Sequence, residues 1–436
     1  MSPLTLPLDY HTMDTDAFVE WLQQNKLKRG YIVCREGEVR CSNPLLKDFA
    51  QFISNSPDYT RHEGIFFEIE PETRALFVAA IHRSKRGAGQ GGTRLKRYDS
   101  VKSIFDDVMR LSKGMTEKNA FAQIWWGGGK SVIHPAVHPK SIPADMRTKI
   151  FSRFGRFIAS LKGLYVCAED MNTTPEDMRL IHANNRFCTC VPTEIGGSSN
   201  PSKFTAKGVF RGLLAGVHFL QKIKDPDRVA LHGIHLLVQG AGNVGFHLIE
   251  LAVQAGAQVT VFDNYPPTRD KLRQHFPKEQ VKVIDNGDDL YKIPADVFSP
   301  NAIGATLNDE TIPQLQVKII AGAANNQLLD AERHAEMIHQ RGILYIPDFV
   351  INRMGIVNCA DEQYGYLPEE IERKLAEVYP STYDLLEKAN ADNISPQFKA
   401  IELAEKLSQI EHPIWKHRGA KIINHLIETH WEDASL

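Results

Sequence analysis

Residues 234–263 read IHLLVQGAGNVGFHLIELAVQAGAQVTVFD. The run IHLLVQ predicts a short buried strand, VGFHLIELAVQAG an apolar helix, and VTVFD a second strand ending at Asp263. The turn between the first two is Gly240-Ala241-Gly242-Asn243-Val244-Gly245, a GxGxxG. Strand, glycine turn, helix, strand and terminal acid make up a complete dinucleotide-binding unit. Gly240 permits the tight turn, Gly242 lets the backbone approach a pyrophosphate, and Gly245 brings helix and sheet together. The phosphates would sit at the helix N-terminus, over Asn243 and Val244. Asp263 can accept from ribose hydroxyls and would repel a 2′-phosphate, which favours NAD over NADP, although Arg269 lies nearby.

Working outward, IHLLVQG, QVTVFD, VKVID, ADVFSP, VKIIAGA and GILYIPD alternate with helical segments from about residue 205 onward. That rhythm predicts an α/β, doubly wound parallel sheet. Upstream, DTDAFVEWLQQNKL and NPLLKDFAQFIS read as helices flanking two strands around Glu36-Gly37. GIFFEIEPETRALFVAAIH reads as two strands. VKSIFDDVMRLSKG reads as a helix capped by Ser100 and ended by Gly114. The expected domains are an N-terminal α/β extension (1–60), a substrate and oligomerisation domain (61–200, with C-terminal helices from 381–436), and a Rossmann-type domain (201–380), with a cleft between the two large ones.

The bulk numbers agree with a globular protein of two or three domains. The chain has 436 residues, 42% hydrophobic and 24% charged, with a net charge of −2. This argues against a nucleic-acid binder or a membrane-surface protein. The N-terminal stretch MSPLTLPLDYHTMDTDAF has neither a basic nor an apolar leader region, so a cytoplasmic protein is expected. Six scattered cysteines and 17 histidines without an HExxH give no metal site.

A second GxGxxG, Gly87 to Gly92, precedes the basic TRLKRYDS instead of an apolar helix and is a weak nucleotide loop. The stretch MTEKNAFAQIWWGGGKS holds Lys118 and Lys130 around three glycines. It fails the phosphate-loop pattern, since Ile124 stands where the first glycine belongs. Two lysines in one cleft suit a dehydrogenase better. One would hold an anionic substrate group. The other, crowded by a like charge and desolvated, would move protons near neutrality. Asp170, at the end of LYVCAED, is placed to join them.

Over residues 65–366 the motifs GGTR, LSKGMTEKNA, GGGKSVI, AEDMNTTPEDM, GGSSNPSKFTAKGVFRG, VQGAGNVG, NDETIPQL, IAGAANNQL, PDFVIN and NCADEQYGY occur in one order. Together they resemble the glutamate/leucine/phenylalanine/valine dehydrogenase family, most closely its leucine dehydrogenase branch. The resemblance implies reversible NAD-dependent oxidative deamination of an L-amino acid to a 2-oxo acid and ammonia, by a homo-oligomer. By position, Lys118 and Asn326 would hold the α-carboxylate, Lys130 would activate water, and Asp170 would shuttle protons. Asn325 and Asn352 would lie near the nicotinamide and Thr205 at the mouth of the cleft. Gly91, Gly92, Gln90, Ile356 and Cys359 would line the substrate pocket.

Three departures qualify this. Gln90 stands where the family has leucine or lysine, which suggests a polar side chain on the substrate or a reshaped pocket. Arg353 and Met354 replace small residues and could narrow the pocket or bring a new cation into it. Trp125-Trp126 replaces a smaller pair and is either core or the floor of an altered site. The rival readings are the same chemistry on a glutamate-like or aromatic amino acid, and a non-catalytic NAD-binding regulatory protein.

Overall fold

The computed structural model describes residues 9–433; the first eight residues of the stretch read as lacking a leader lie outside the described residues. The chain forms two compact units. The first contains residues up to 200 together with 359–366 and 405 onward, and the second contains 201–358 and 367–404.

The first unit is built on a seven-stranded mixed sheet. Its strands are β1 (Arg29–Arg35), β2 (Glu38–Cys41), β3 (Gly64–Glu70), β4 (Ala75–Arg83), β5 (Gly89–Leu95), β6 (Gly127–His134) and β7 (Tyr165–Glu169), in the order β2-β1-β3-β4-β6-β5-β7. The N-terminal extension is therefore part of this sheet: β1 pairs antiparallel with β3 from Arg29 opposite Glu68 to Val33 opposite Gly64. Helices Thr15–Gln24 and Lys47–Ser54 cover it, and Phe18, Phe49, Phe67 and Phe105 form one aromatic core, with Phe49 and Phe105 rings 4.9 Å apart.

Strands β5, β6 and β7 run parallel to one another. Gly87–Gly92 thus leads into and forms the start of a strand, and the first GxGxxG is no nucleotide loop. Lys130 lies in β6, with no strand-to-helix turn behind it. The helix starting at Val101 does not stop at Gly114 but runs to Phe121. An interior glycine costs a helix about 1 kcal/mol, and burial of the following turns outweighs this. Thr116, Asn119 and Ala120 are all buried there. That extension is what brings the helix, at Thr116 and Asn119, onto β6.

The second unit carries β8 (His235–Gln239), β9 (Gln258–Phe262), β10 (Val281–Val283), β11 (Val297–Pro300), β12 (Ile319–Ile320) and β13 (Leu344–Tyr345). All pairs are parallel, in the order β10-β9-β8-β11-β12-β13, the 3-2-1-4-5-6 arrangement of a dinucleotide fold. This unit keeps residues 381–404, which the sequence reading placed with the first domain. The reason is packing. Helix Val378–Asp392 lies on helix Ser202–Gln221, with the Tyr379 hydroxyl 2.9 Å from His218 Nδ1 and the Tyr383 ring 5.7 Å from that of Phe219.

Candidate active site

The three glycines before Lys130 serve contact between protein segments. A Cβ at Gly127 would strike the carbonyl of Arg83, one at Gly128 would strike Thr116 of the long helix, and one at Gly129 would lie 2.7 Å from the Tyr165 ring. Asn119 Nδ2 donates to the Gly127 carbonyl at 2.6 Å. Helix and strand therefore meet through Thr116 and Asn119, and Lys118, half-buried, sits between those two residues. Gly92 is required for the same reason, since a Cβ there would be 2.6 Å from that of Asp170. Gly91 similarly admits the carbonyl of Gly129.

Asp170 follows the last residue of β7. Its Oδ2 accepts from Lys130 Nζ at 2.6 Å and from Arg94 Nε at 3.1 Å. The Arg94 guanidinium also donates to Asp107 Oδ2 at 2.9 Å, and Asp107 in turn accepts from the Tyr98 hydroxyl at 2.7 Å. The result is a chain of alternating charge, Lys130–Asp170–Arg94–Asp107. Burial pushes the Asp170 carboxyl up, but the Lys130 and Arg94 cations overcome it and hold the group at about 2. Burial lowers the Lys130 ammonium, Asp170 opposes this, and Arg94 adds to the lowering. The like charge beside Lys130 is thus Arg94. The sequence reading missed that residue, although GGTR was in view, because nothing local shows an arginine bridging acids 13 and 76 positions away.

Gln90 is fully buried, and its Nε2 donates to the Ala360 carbonyl at 3.3 Å, while Oε1 has no partner. Cys359, next in line, is buried in the same unit. Of the tryptophan pair, Trp126 is buried and Trp125 is 41% exposed. Neither floors the Lys130 cluster; both line a separate cavity of the first unit.

The remaining expected residues lie in the second unit. Gly240 has φ +87°, and Gly245 packs against the Gly240 carbonyl so closely that a Cβ would not fit. Gly242 faces open space, and helix Asn243–Gln254 starts with no side-chain cap. Backbone N–H groups of that first turn, including those of Asn243 and Val244, are thus available to a phosphate. Asp263 accepts from Ala241 N at 2.8 Å and Tyr265 N at 2.9 Å, which leaves acceptor capacity on each oxygen. These residues fit a dinucleotide. Asn352 Nδ2 donates to Asn325 Oδ1 at 3.0 Å, and Asn326, at φ +52°, donates its N–H to Asp348. Thr205 lies against Gly355, and Ile356 is buried in helix Met354–Cys359.

Arg353 corrects the expectation of a new pocket cation. It is buried, donating to the Val350 carbonyl and to Ser381 Oγ, both at 2.6 Å, and burial lowers its pKa to about 10. Met354 packs against helix Ser202–Gln221 at Gly208.

With the geometry in place, relatives identify it. Residues 75–186 match the dimerisation domain of Glu/Leu/Phe/Val dehydrogenases, and 266–400 match glutamate/leucine/phenylalanine/valine dehydrogenase. Leucine dehydrogenase from Bacillus cereus is 38% identical over 345 residues, 79% of this chain and 90% of the relative. The chain belongs to the glutamate/leucine/phenylalanine/valine dehydrogenase family. It is an amino-acid dehydrogenase, an oxidoreductase of nicotinamide-dinucleotide-dependent oxidative deamination. Phenylalanine dehydrogenase from Lysinibacillus sphaericus is 37% identical, with 77% of this chain and 85% of that one covered. The crystal structure of L-tryptophan dehydrogenase from Nostoc punctiforme superposes with a TM-score of 0.65 at 32% identity, covering 83% of this dehydrogenase and 98% of that chain. No helix among the described residues is long and apolar enough to cross a membrane.

Proposed function

We propose that this dehydrogenase uses Lys130 and Asp170 as its proton-transfer pair, Lys118 and Asn326 to hold the substrate α-carboxylate, and NAD as its oxidant. The 2.6 Å Lys130–Asp170 contact beside Arg94 carries the reading. A dinucleotide held at the Gly240–Gly245 turn would supply the acceptor for the hydride of the substrate Cα. Lys130, its ammonium weakened by burial, polarises the oxygen of the water that adds to the resulting iminium carbon. Asp170 takes and returns protons at the amino group. At about 2 its carboxylate is a poor base. A substrate that engages Lys130 removes one of its two cations and raises it toward a useful value.

NAD over NADP is supported by Asp263 and by the engagement of Arg269, which donates to the Asp263 carbonyl at 2.7 Å and lies 3.4 Å from Asp285. Asn325 and Asn352 would border the nicotinamide and Thr205 the mouth of its site. Gln90, Gly91, Gly92, Ile356 and Cys359 would form the substrate pocket. The free atom of Gln90 is an acceptor, and its orientation is fixed because Nε2 must face the Ala360 carbonyl. An acidic side chain would meet that acceptor unfavourably, whereas an aliphatic side chain or one bearing an N–H fits better. The free cysteines suit a reducing cytoplasm, and the match to a dimerisation domain supports a homo-oligomer.

The experiment is a panel of L-amino acids with NAD and NADP reduction followed by absorbance, repeated on Lys130→Ala. Aliphatic or aromatic amino acids with NAD should lead, and Lys130→Ala should lose at least ~100-fold in turnover with NAD binding kept. Preference for glutamate, or an undiminished variant, overturns the assignment.

A further inference from the structure

The first unit contains a cavity of about 790 Å³. It opens at the N-terminal ends of the parallel strands whose C-terminal ends carry Arg94 and Asp170. Its floor is Gly87-Ala88 before β5, Trp125-Trp126 before β6 and Lys162-Gly163 before β7. Four residues of strand, about 13 Å, separate Trp126 from Lys130 and Val166 from Asp170. The wall is completed by Asp361–Tyr364 and by the C-terminal residues His412, Ile414, Trp415 and Arg418.

The lining has two characters. The first is flat aromatic surface left partly open. Trp125 is 41% exposed, Trp415 54% and Tyr364 76%, and Trp126 stacks on Tyr364 at 6.2 Å. The second is a one-sided polar balance. Both acids already accept hydrogen bonds. Glu362 accepts from Cys190 N, Val191 N, Ser198 N and Ser198 Oγ at 2.6–3.0 Å, and Asp361 accepts from Trp126 Nε1 at 3.0 Å. Among the described residues Lys162, Arg186 and Arg418 have no carboxylate partner; Arg186 lies over Phe187 and Arg418 over Trp415. Gln363 adds a buried, unpartnered Nε2 donor. With three cations against two carboxylates in its lining, the cavity offers ring faces and an excess of positive charge.

We propose that this cavity binds a small aromatic anion, a planar ring bearing a carboxylate or phosphate, at a site distinct from the Lys130–Asp170 cluster. Its volume falls in the range of small-molecule sites. The ring would lie among Trp125, Trp126 and Trp415, with the anionic group toward Arg186 and Arg418.

The test is calorimetric titration of the full-length enzyme with phenylacetate and with phenyl phosphate, against acetate, inorganic phosphate and indole as single-character controls. At least one aromatic anion should bind tenfold or more tightly than any control, and the tighter of the two names the anionic group. Arg186→Gln and Trp415→Ala, both at exposed positions, should each weaken that binding at least tenfold while leaving turnover without probe unchanged. A saturating amino-acid substrate should not displace the probe. Binding no better than the controls, binding indifferent to both variants, or displacement by substrate would each overturn the proposal. So would dissociation of the oligomer on Trp415→Ala with no probe bound, since the cavity would then be a contact between copies.

Discussion

Arg94 is the residue whose loss tells most about how the cluster is tuned. It joins Asp170 to Asp107 with side-chain exposure of 15%. Removing it takes a shared cation from two carboxylates, and breaking a partly buried pair of this kind costs about 3 kcal/mol. Arg94→Met should therefore lower stability by about that amount in urea titration and shift the acid limb of the kcat profile upward, because Asp170 keeps only Lys130. Arg94→Lys should restore charge but not the two-sided fork, and recover stability only in part. Glu169, one residue before Asp170, provides a second check. Burial is the chief cause that raises its carboxyl from 4.5 to about 7, and its Oε2 is buried without a partner. The fold thus favours the protonated acid. Its contribution to stability is complete below about 4.5 and is lost as pH rises through about 7. Thermal scans from pH 5 to pH 8 should show the wild type losing more stability than Glu169→Gln, with the variant the more stable at pH 8. Equal losses would place the charge outside the buried environment.

At the scale of elements, the contact of the Val101–Phe121 helix with β6 is the sensitive joint. A Cβ at Gly128 would run into the backbone of Thr116, which cannot swing aside as a side chain does. Gly128→Ala should cost about 3 kcal/mol in denaturant titration, and displacement of Lys118 with the helix should raise KM more than it lowers kcat. The same joint marks the limit of what the sequence conveys. The six strands of the second unit were legible because short, mostly apolar runs recur there between turn residues, with an α-helix in three of the five connections. The long helix was not, since Gly114 has the local chemistry of a stop and only the burial of Thr116 and Asn119 carries the helix past it. Lys118, Lys130 and Asp170 could be named from motifs. The cavity beside Trp125 and Trp126 could not, because residues 412–422 come to it from nearly 300 positions away.

At the scale of the molecule, the chain passes between its units four times, and the return at 359–366 is the shortest visit. Glu362 anchors that visit with four hydrogen bonds to residues 190–198. Glu362→Gln keeps the shape but loses the charge and puts an N–H against donors, so a loss of about 1–3 kcal/mol is expected, read by urea titration. An unchanged midpoint would show that the carboxylate does not hold the segment. The threading has a further consequence for biosynthesis. A domain made only of the first 200 residues could finish folding while the ribosome was still reading the rest. Here the leading unit lacks its Glu362 clasp and its closing helix Arg418–Glu428 until more than 150 further residues have been made, so its nascent form must wait, incomplete, while most of the other lobe is synthesised.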